Sequence, residues 1–166
     1  MEYKFIKPYI TTCGWECVQL PDSVRILVDK VDTQELLLVE QYRPAVEAYT
    51  TECCAGTVDK PIPLIDIAKE EIQEELGYRT ESITKLTSTL VATGFSSSKA
   101  HLYYATVTTK SFIGKTQGID DNITTIRIPY CKVQEFIAKT VLDTSTEYLL
   151  TLWENKQILQ QHIKDS

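Results

Sequence analysis

The chain is poor in the residues that break or loosen structure. Its 166 residues include only six glycines, six prolines and one methionine. No stretch has the composition of a linker, a low-complexity segment or a repeat array. Basic residues are also in deficit, with 17 Lys and Arg against 23 Asp and Glu and a net charge of −6. That balance argues against nucleic acid as a partner, because a phosphate backbone is held by a basic surface. A small phosphorylated ligand stays open, since a divalent cation can bridge carboxylate to phosphate. No apolar run approaches the ~18 residues of a membrane span, and the opening MEYKFIKPYI lacks the apolar stretch of a secretory leader. The expectation is a cytoplasmic protein with no membrane partner. Five cysteines without CxxC spacing fit reduced thiols in such a compartment. A zinc site from Cys13, Cys17 and the Cys53/Cys54 pair has the wrong spacing for a knuckle, and neither histidine lies near it.

What the chain does have is apolar patterning. Apolar residues make up 43%, enough to bury a core in one domain spanning 1–166. WECVQL alternates, VRILVD is β-branched and apolar, and LLLVEQY reads as a central strand. A short strand in PAVEAYTTECCAG ends at Gly56. Pro63 suits the first turn of a helix running from about Leu64 to Leu76, and Gly77 sits where a left-handed cap is wanted. ITKLTSTLVA, KAHLYYATVT and NITTIRIPY follow as strands. KVQEFIAK predicts a short helix. STEYLLTLWENKQILQQHI predicts a long one, capped by Ser145 or Thr146, with a stripe of Tyr148, Leu149, Leu152, Trp153, Leu159 and Ile163. The order of elements predicts a mixed sheet flanked by helices, an α/β (α+β) sandwich.

One segment stands out, GTVDKPIPLIDIAKEEIQEELGY, from Gly56 to Tyr78. Glu70, Glu71, Glu74 and Glu75 crowd into six positions. At ~3.6 residues per turn, Ile65, Ala68, Ile72 and Leu76 share a face that packs on the sheet, while Glu71, Glu74 and Glu75 share another. Such a face either solvates a helix or supplies oxygen ligands to a hard cation. Like-charge neighbours on an exposed helix cost only ~0.2–0.5 kcal/mol each, so energetics alone does not decide.

The frame around these acids resembles the Nudix box, whose pattern is G, five residues, E, seven residues, then REUxEExGU. Gly56 takes the first glycine, and Glu71, Ile72, Glu74, Glu75, Gly77 and Tyr78 take the E, U, E, E, G and U of the tail. Two positions depart: Ile62 stands for the first box glutamate and Glu70 for the arginine. LLLVEQYRPAVEAYTTECCAG, LVATGFSSSKAHLYYA and LDTSTEYLLTLWE resemble flanking parts of the ADP-ribose and UDP-sugar pyrophosphatase branch. The resemblance implies a Nudix-type α/β/α sandwich and metal-dependent hydrolysis of the diphosphate of a nucleoside diphosphate sugar. It implies Mg²⁺, with Mn²⁺ as a substitute, and a homodimer. The altered box keeps a second reading open, a domain that binds a nucleotide sugar or a partner protein without turnover.

The resemblance also implies roles. Glu71 and Glu75 become metal ligands, Glu74 a third, as a ligand to a further metal or through water, and the Ala55 carbonyl a fourth. The general base, often a glutamate of a later loop, maps to GIDDNITT, where Asp120 and Asp121 are available; the other reading is a plain Asx turn. Arg43 could grip phosphate bidentately or form a surface ion pair. Glu52 resembles a substrate- or metal-contacting glutamate. Lys99 could touch phosphate or stand solvated on its loop. His101 reads as structural.

Overall fold

In the computed structural model, residues 6–116, 122–155, 160 and 163–164 are described. The strands are β1 (Lys7–Ile10), β2 (Glu16–Gln19), β3 (Ser23–Lys30), β4 (Glu35–Arg43), β5 (Ala48–Glu52), β6 (Cys54–Thr57), β7 (Ser82–Leu90), β8 (Lys99–Val107) and β9 (Thr124–Pro129). The α-helices are α1 (Leu64–Glu71), between β6 and β7, then α2 (Val133–Lys139) and α3 (Thr144–Glu154). β1 and β2 form a separate hairpin, tied to the loop before β8 by the Val18 amide donating to the Phe95 carbonyl at 2.8 Å.

The main sheet runs β5-β4-β3-β8-β7, with β6 also on β3 and β9 also on β4. β3 and β8 are parallel and the other pairs antiparallel. β3 and β4 pair only over Val28–Lys30 against Leu37–Glu35, then diverge. β5 continues along β4, and β6 along β3, so the chain between them fills the fork. Leu36, Leu37, Leu38 and Val39 are all fully buried, because β4 is covered on both faces. On one face Val24, Ile26, Val28, Leu37 and Val39 pack with Ile67, Ala68, Ile72 and Leu76 of the helical segment. On the other, Leu27, Leu36 and Leu38 pack with Val133 of α2 and with Leu149, Leu150 and Trp153 of α3. The layers are therefore helix, mixed sheet, helix: the Nudix-type α/β/α sandwich expected from the sequence. Among the described residues no helix is long and apolar enough to cross a membrane.

The closing helix differs from the reading of its sequence. Its cap is Asp143, whose Oδ1 accepts from the amides of Ser145 and Thr146, and neither of those two residues caps it. The Thr146 hydroxyl instead faces inward, donating to Asp143 and accepting from the Cys53 amide at 2.8 Å. Leu149, Leu152 and Trp153 are buried as the stripe required, but Leu150 joins them. Tyr148 and Ile163 are exposed, and Leu159 lies outside the described residues.

α3 is fastened to the sheet by one carboxylate. Asp29, 3% exposed, accepts from Tyr104 Oη at 2.6 Å, from Trp153 Nε1 at 3.0 Å and from Tyr130 Oη. Burial, and then the bond to Asp29, push both tyrosine hydroxyls upward, so they remain donors at neutral pH. Removing the acceptor takes a hydrogen-bond partner from one buried and two part-buried donors. Asp29→Ala is expected to lower stability by about 3 kcal/mol, read as a fall in the urea midpoint. An unchanged midpoint would show that the three donors find other partners.

Candidate active site

The acidic helix begins as expected and then changes pitch. Leu64–Glu71 is α-helical and Ile72–Leu76 is a π turn, closed by the Gly77 amide donating to the Ile72 carbonyl at 3.1 Å. Pro63 stands just before the helix, at its N-cap. Gly77 has φ 81° in the left-handed region, the conformation its position called for. An i→i+5 bond takes one more residue into the turn than α geometry does. Ile67, Ala68, Ile72 and Leu76 are buried and Ile65 only partly so. Glu71, Glu74 and Glu75 share a face as expected and line one cavity, and Glu75 is buried there at 9% exposed.

β6 meets this helix very closely. A Cβ on Gly56 would sit 2.1 Å from Glu71 Oε1. The Ala55 amide donates to Glu75 Oε2 at 3.1 Å. Strand and helix thereby bound a cleft of about 620 Å³, lined by Ala55, Gly56 and Thr57, by Glu71, Glu74 and Glu75, by Asp59 and Lys60, and by Arg25 and Arg43. The structure brings Glu71, Glu74, Glu75, Ala55 and Arg43 to one cavity. It keeps Lys99 apart, exposed at the start of β8 with its amide on Asp22 Oδ1. Asp120 and Asp121 lie outside the described residues. His101 is structural: Nδ1 meets Ser88 Oγ at 2.8 Å and Nε2 meets Asp22 Oδ2 at 3.3 Å.

The basic part of the cleft is organised by Glu52. Arg43 grips it with two parallel bonds, Nε to Oε1 at 2.7 Å and Nη2 to Oε2 at 2.6 Å. Thr50 Oγ1 donates to Oε1 at 2.7 Å, and Arg25 Nη1 to Oε2 at 3.3 Å. Burial alone would raise the Glu52 carboxyl, but these bonds and the two guanidinium charges hold it below the usual carboxylate range. Glu52 thus orients the arginines and is not itself a wall of the cleft. Arg25 was missed in the sequence because it reads as one interruption in an apolar strand.

The acids behave in the opposite sense. Burial, then the charges of Glu75 and Glu74, push the Glu71 carboxyl from 4.5 up to about 7. Burial also raises Glu75, offset in part by its bonds to Cys54 and Ala55 and by the arginines. Glu70 is removed from this cluster by Lys60, whose Nζ lies 2.6 Å from Glu70 Oε2. The adjacent Lys69 pairs with Asp66. Ile62, at the altered box position, packs against the core. Among the described residues no group of three or more His, Cys, Asp or Glu side chains is arranged to hold a metal ion. The cysteines are free; Cys53 and Cys54 are buried and Cys13 is exposed, so they do not share a zinc site.

Several curated proteins are similar to this chain. Uridine diphosphate glucose pyrophosphatase of Bos taurus is 30% identical, over 57% of this chain and 58% of the relative. ADP-ribose pyrophosphatase of Bacillus subtilis is 24% identical, over 87% and 78% respectively. GDP-mannose pyrophosphatase of Cronobacter sakazakii is 27% identical, over 78% and 71%. The chain thus spans little more than half the length of the bovine relative. No protein-family model matches it. These relatives are all Nudix hydrolases, and the chain resembles that superfamily at modest identity.

The raised Glu71 carboxyl has a consequence for stability. Its folded pKa, about 7, exceeds the 4.5 of an unperturbed group, so between those values the folded state holds more protons than the unfolded one. Stability must then fall as pH rises through that window. In chelator, melting temperature is expected to drop more between pH 5 and 8 for the wild type than for Glu71→Gln. Parallel profiles would show that the folded protein does not raise the Glu71 carboxyl.

Proposed function

We propose that this chain hydrolyses the diphosphate bridge of a nucleoside diphosphate sugar, with Mg²⁺ or Mn²⁺ as cofactor. The observation that carries the reading is one cleft in which Glu71, Glu74 and Glu75 stand with Arg25 and Arg43. A bare diphosphate would be repelled by the acids, and a bare cation by the arginines. A cation and a diphosphate together match both. The donor set fits a hard divalent ion: three carboxylates and the Ala55 carbonyl, all oxygen, in a site where burial and then the neighbouring acids raise Glu71. When bound, such an ion polarises phosphoryl oxygens and acidifies water.

The residues of the chain then have separate tasks. Glu71, Glu74 and Glu75 would hold the ion. The Ala55 amide fixes one oxygen of Glu75 and leaves the other for the cleft. Arg43, preset by Glu52, meets phosphoryl oxygens. Water adds at one phosphorus while the bridging P–O bond breaks. The bridging oxygen leaves with its electron pair on the other phosphate, and the water proton passes to a carboxylate of the cleft. Products are a nucleoside monophosphate and a sugar phosphate. The proposal includes a homodimer, which the exposed Ile10 and Trp15 of the N-terminal hairpin support.

A second reading, binding without turnover, draws on Ile62, which packs against the core where the Nudix box has a carboxylate. A panel of UDP-glucose, ADP-ribose and GDP-mannose, assayed with Mg²⁺, Mn²⁺ and chelator, separates the two. Metal-dependent turnover of at least one sugar is expected. Glu75→Gln should lower it by about 10²–10³-fold with the fold intact, because the amide oxygen still accepts from Ala55. A folded wild type that turns over no sugar with either metal would favour the binding-only domain.

A further inference from the structure

Arg25 is the least satisfied charged side chain of the cleft. It lies within the sheet, in register with Ala55 of β6 on one side and Leu102 of β8 on the other. Its side chain is 24% exposed. Its Nε is shielded from solvent with no hydrogen-bond partner, the one such side-chain atom among the described residues. A guanidinium has five donors, yet its one hydrogen bond to a side chain among the described residues is the 3.3 Å contact of Nη1 with Glu52 Oε2. That oxygen is already held by Arg43 Nη2 at 2.6 Å, and the other by Arg43 Nε and Thr50. Arg43 alone therefore matches the geometry and charge of Glu52. Two guanidiniums against one carboxylate leave a positive charge over, and Arg25 lines the cleft where it can be used. Glu75 feels both arginines but bonds to neither; its polar partners are Cys54 and Ala55.

We propose that Arg25 is a second anion-gripping residue of the cleft, contacting the diphosphate of the substrate beside Arg43. The inference rests on the proposed hydrolase reading and extends it: two guanidiniums, preset through one shared carboxylate, receive the phosphoryl oxygens. An incoming anion supplies the partners that Arg25 lacks at rest. Arg25 acts on binding, so its loss weakens ground state and transition state alike and appears mainly in KM.

The test uses the full chain in Mg²⁺, titrated calorimetrically with the α,β-methylene analogues of ADP and UDP, whose bridge resists hydrolysis. kcat and KM are measured on whichever panel sugar is turned over. Arg25→Ala should weaken analogue binding and raise KM by roughly 10- to 100-fold, with a smaller change in kcat. Arg25→Lys, which keeps the stem and charge but not the planar fork, should fall between, and it carries the test if the alanine variant does not fold. Lys139→Ala, far from the cleft and exposed, controls for a general loss of positive charge. A wild type that binds or turns over a ligand, with Arg25→Ala or Arg25→Lys matching it, would overturn this role and leave the hydrolase reading standing. A wild type that neither binds an analogue nor turns over a sugar would remove both.

Discussion

The close approach of β6 to the acidic helix is the constraint on which the site depends. There is no room for even one methyl group between Gly56 and the Glu71 carboxylate. That contact brings backbone amides and carbonyls of the strand to the helix acids. It also lets the Ala55 amide reach Glu75. The sheet serves the same end. β3 and β4 splay, the β5–β6 run fills the fork, and the fork opens where Arg25, Arg43 and the box glycine meet. A side chain at position 56 would press on Glu71 before it affected the hydrophobic core.

Charge is sorted within a small volume. Glu52 gathers the two arginines, and Lys60 draws Glu70 away from its neighbours. What remains in the cleft is an unneutralised acidic group beside a basic one. The Lys60–Glu70 pair also gives the altered box a physical sense. Where a cation stands in the Nudix pattern this chain has an anion, and a cation has appeared on the preceding loop. Both side chains are nearly half exposed, so the pair adds little stability. Its effect is on where the loop and the Glu70 carboxylate sit.

Much of this was legible in the sequence, and the failures share a cause. Gly56 and Gly77 marked the ends of the site because each satisfies a backbone demand that few residues can meet. The apolar runs of β3 and β4 placed them centrally because burial on both faces leaves no alternation. The π turn was not legible. Periodicity assumes a constant pitch, and the i→i+5 bond from Gly77 to Ile72 departs from it. The cap of α3 is Asp143 and not Ser145 or Thr146. The Thr146 hydroxyl is engaged by the amide of Cys53, distant in sequence. Arg25 and Asp29 were hidden for the same reason. Each is a polar residue inside an apolar strand, and its partners come from other strands and helices.

The junction of β5 and β6 carries one more consequence. Cys53 packs in the core beneath α3 and Cys54 in the core beneath α1, so adjacent residues belong to opposite layers. Burial pushes the Cys53 thiol to about 12 and Cys54 well above its usual value. Neither forms appreciable thiolate while the layers stay closed. The pair is therefore a built-in clock for opening of the fold. Alkylation at Cys53 times the separation of α3 from the sheet, and alkylation at Cys54 times the separation of the acidic helix. Equal rates at both positions would be the chemical signature of one cooperative unit, and unequal rates that of two layers opening separately.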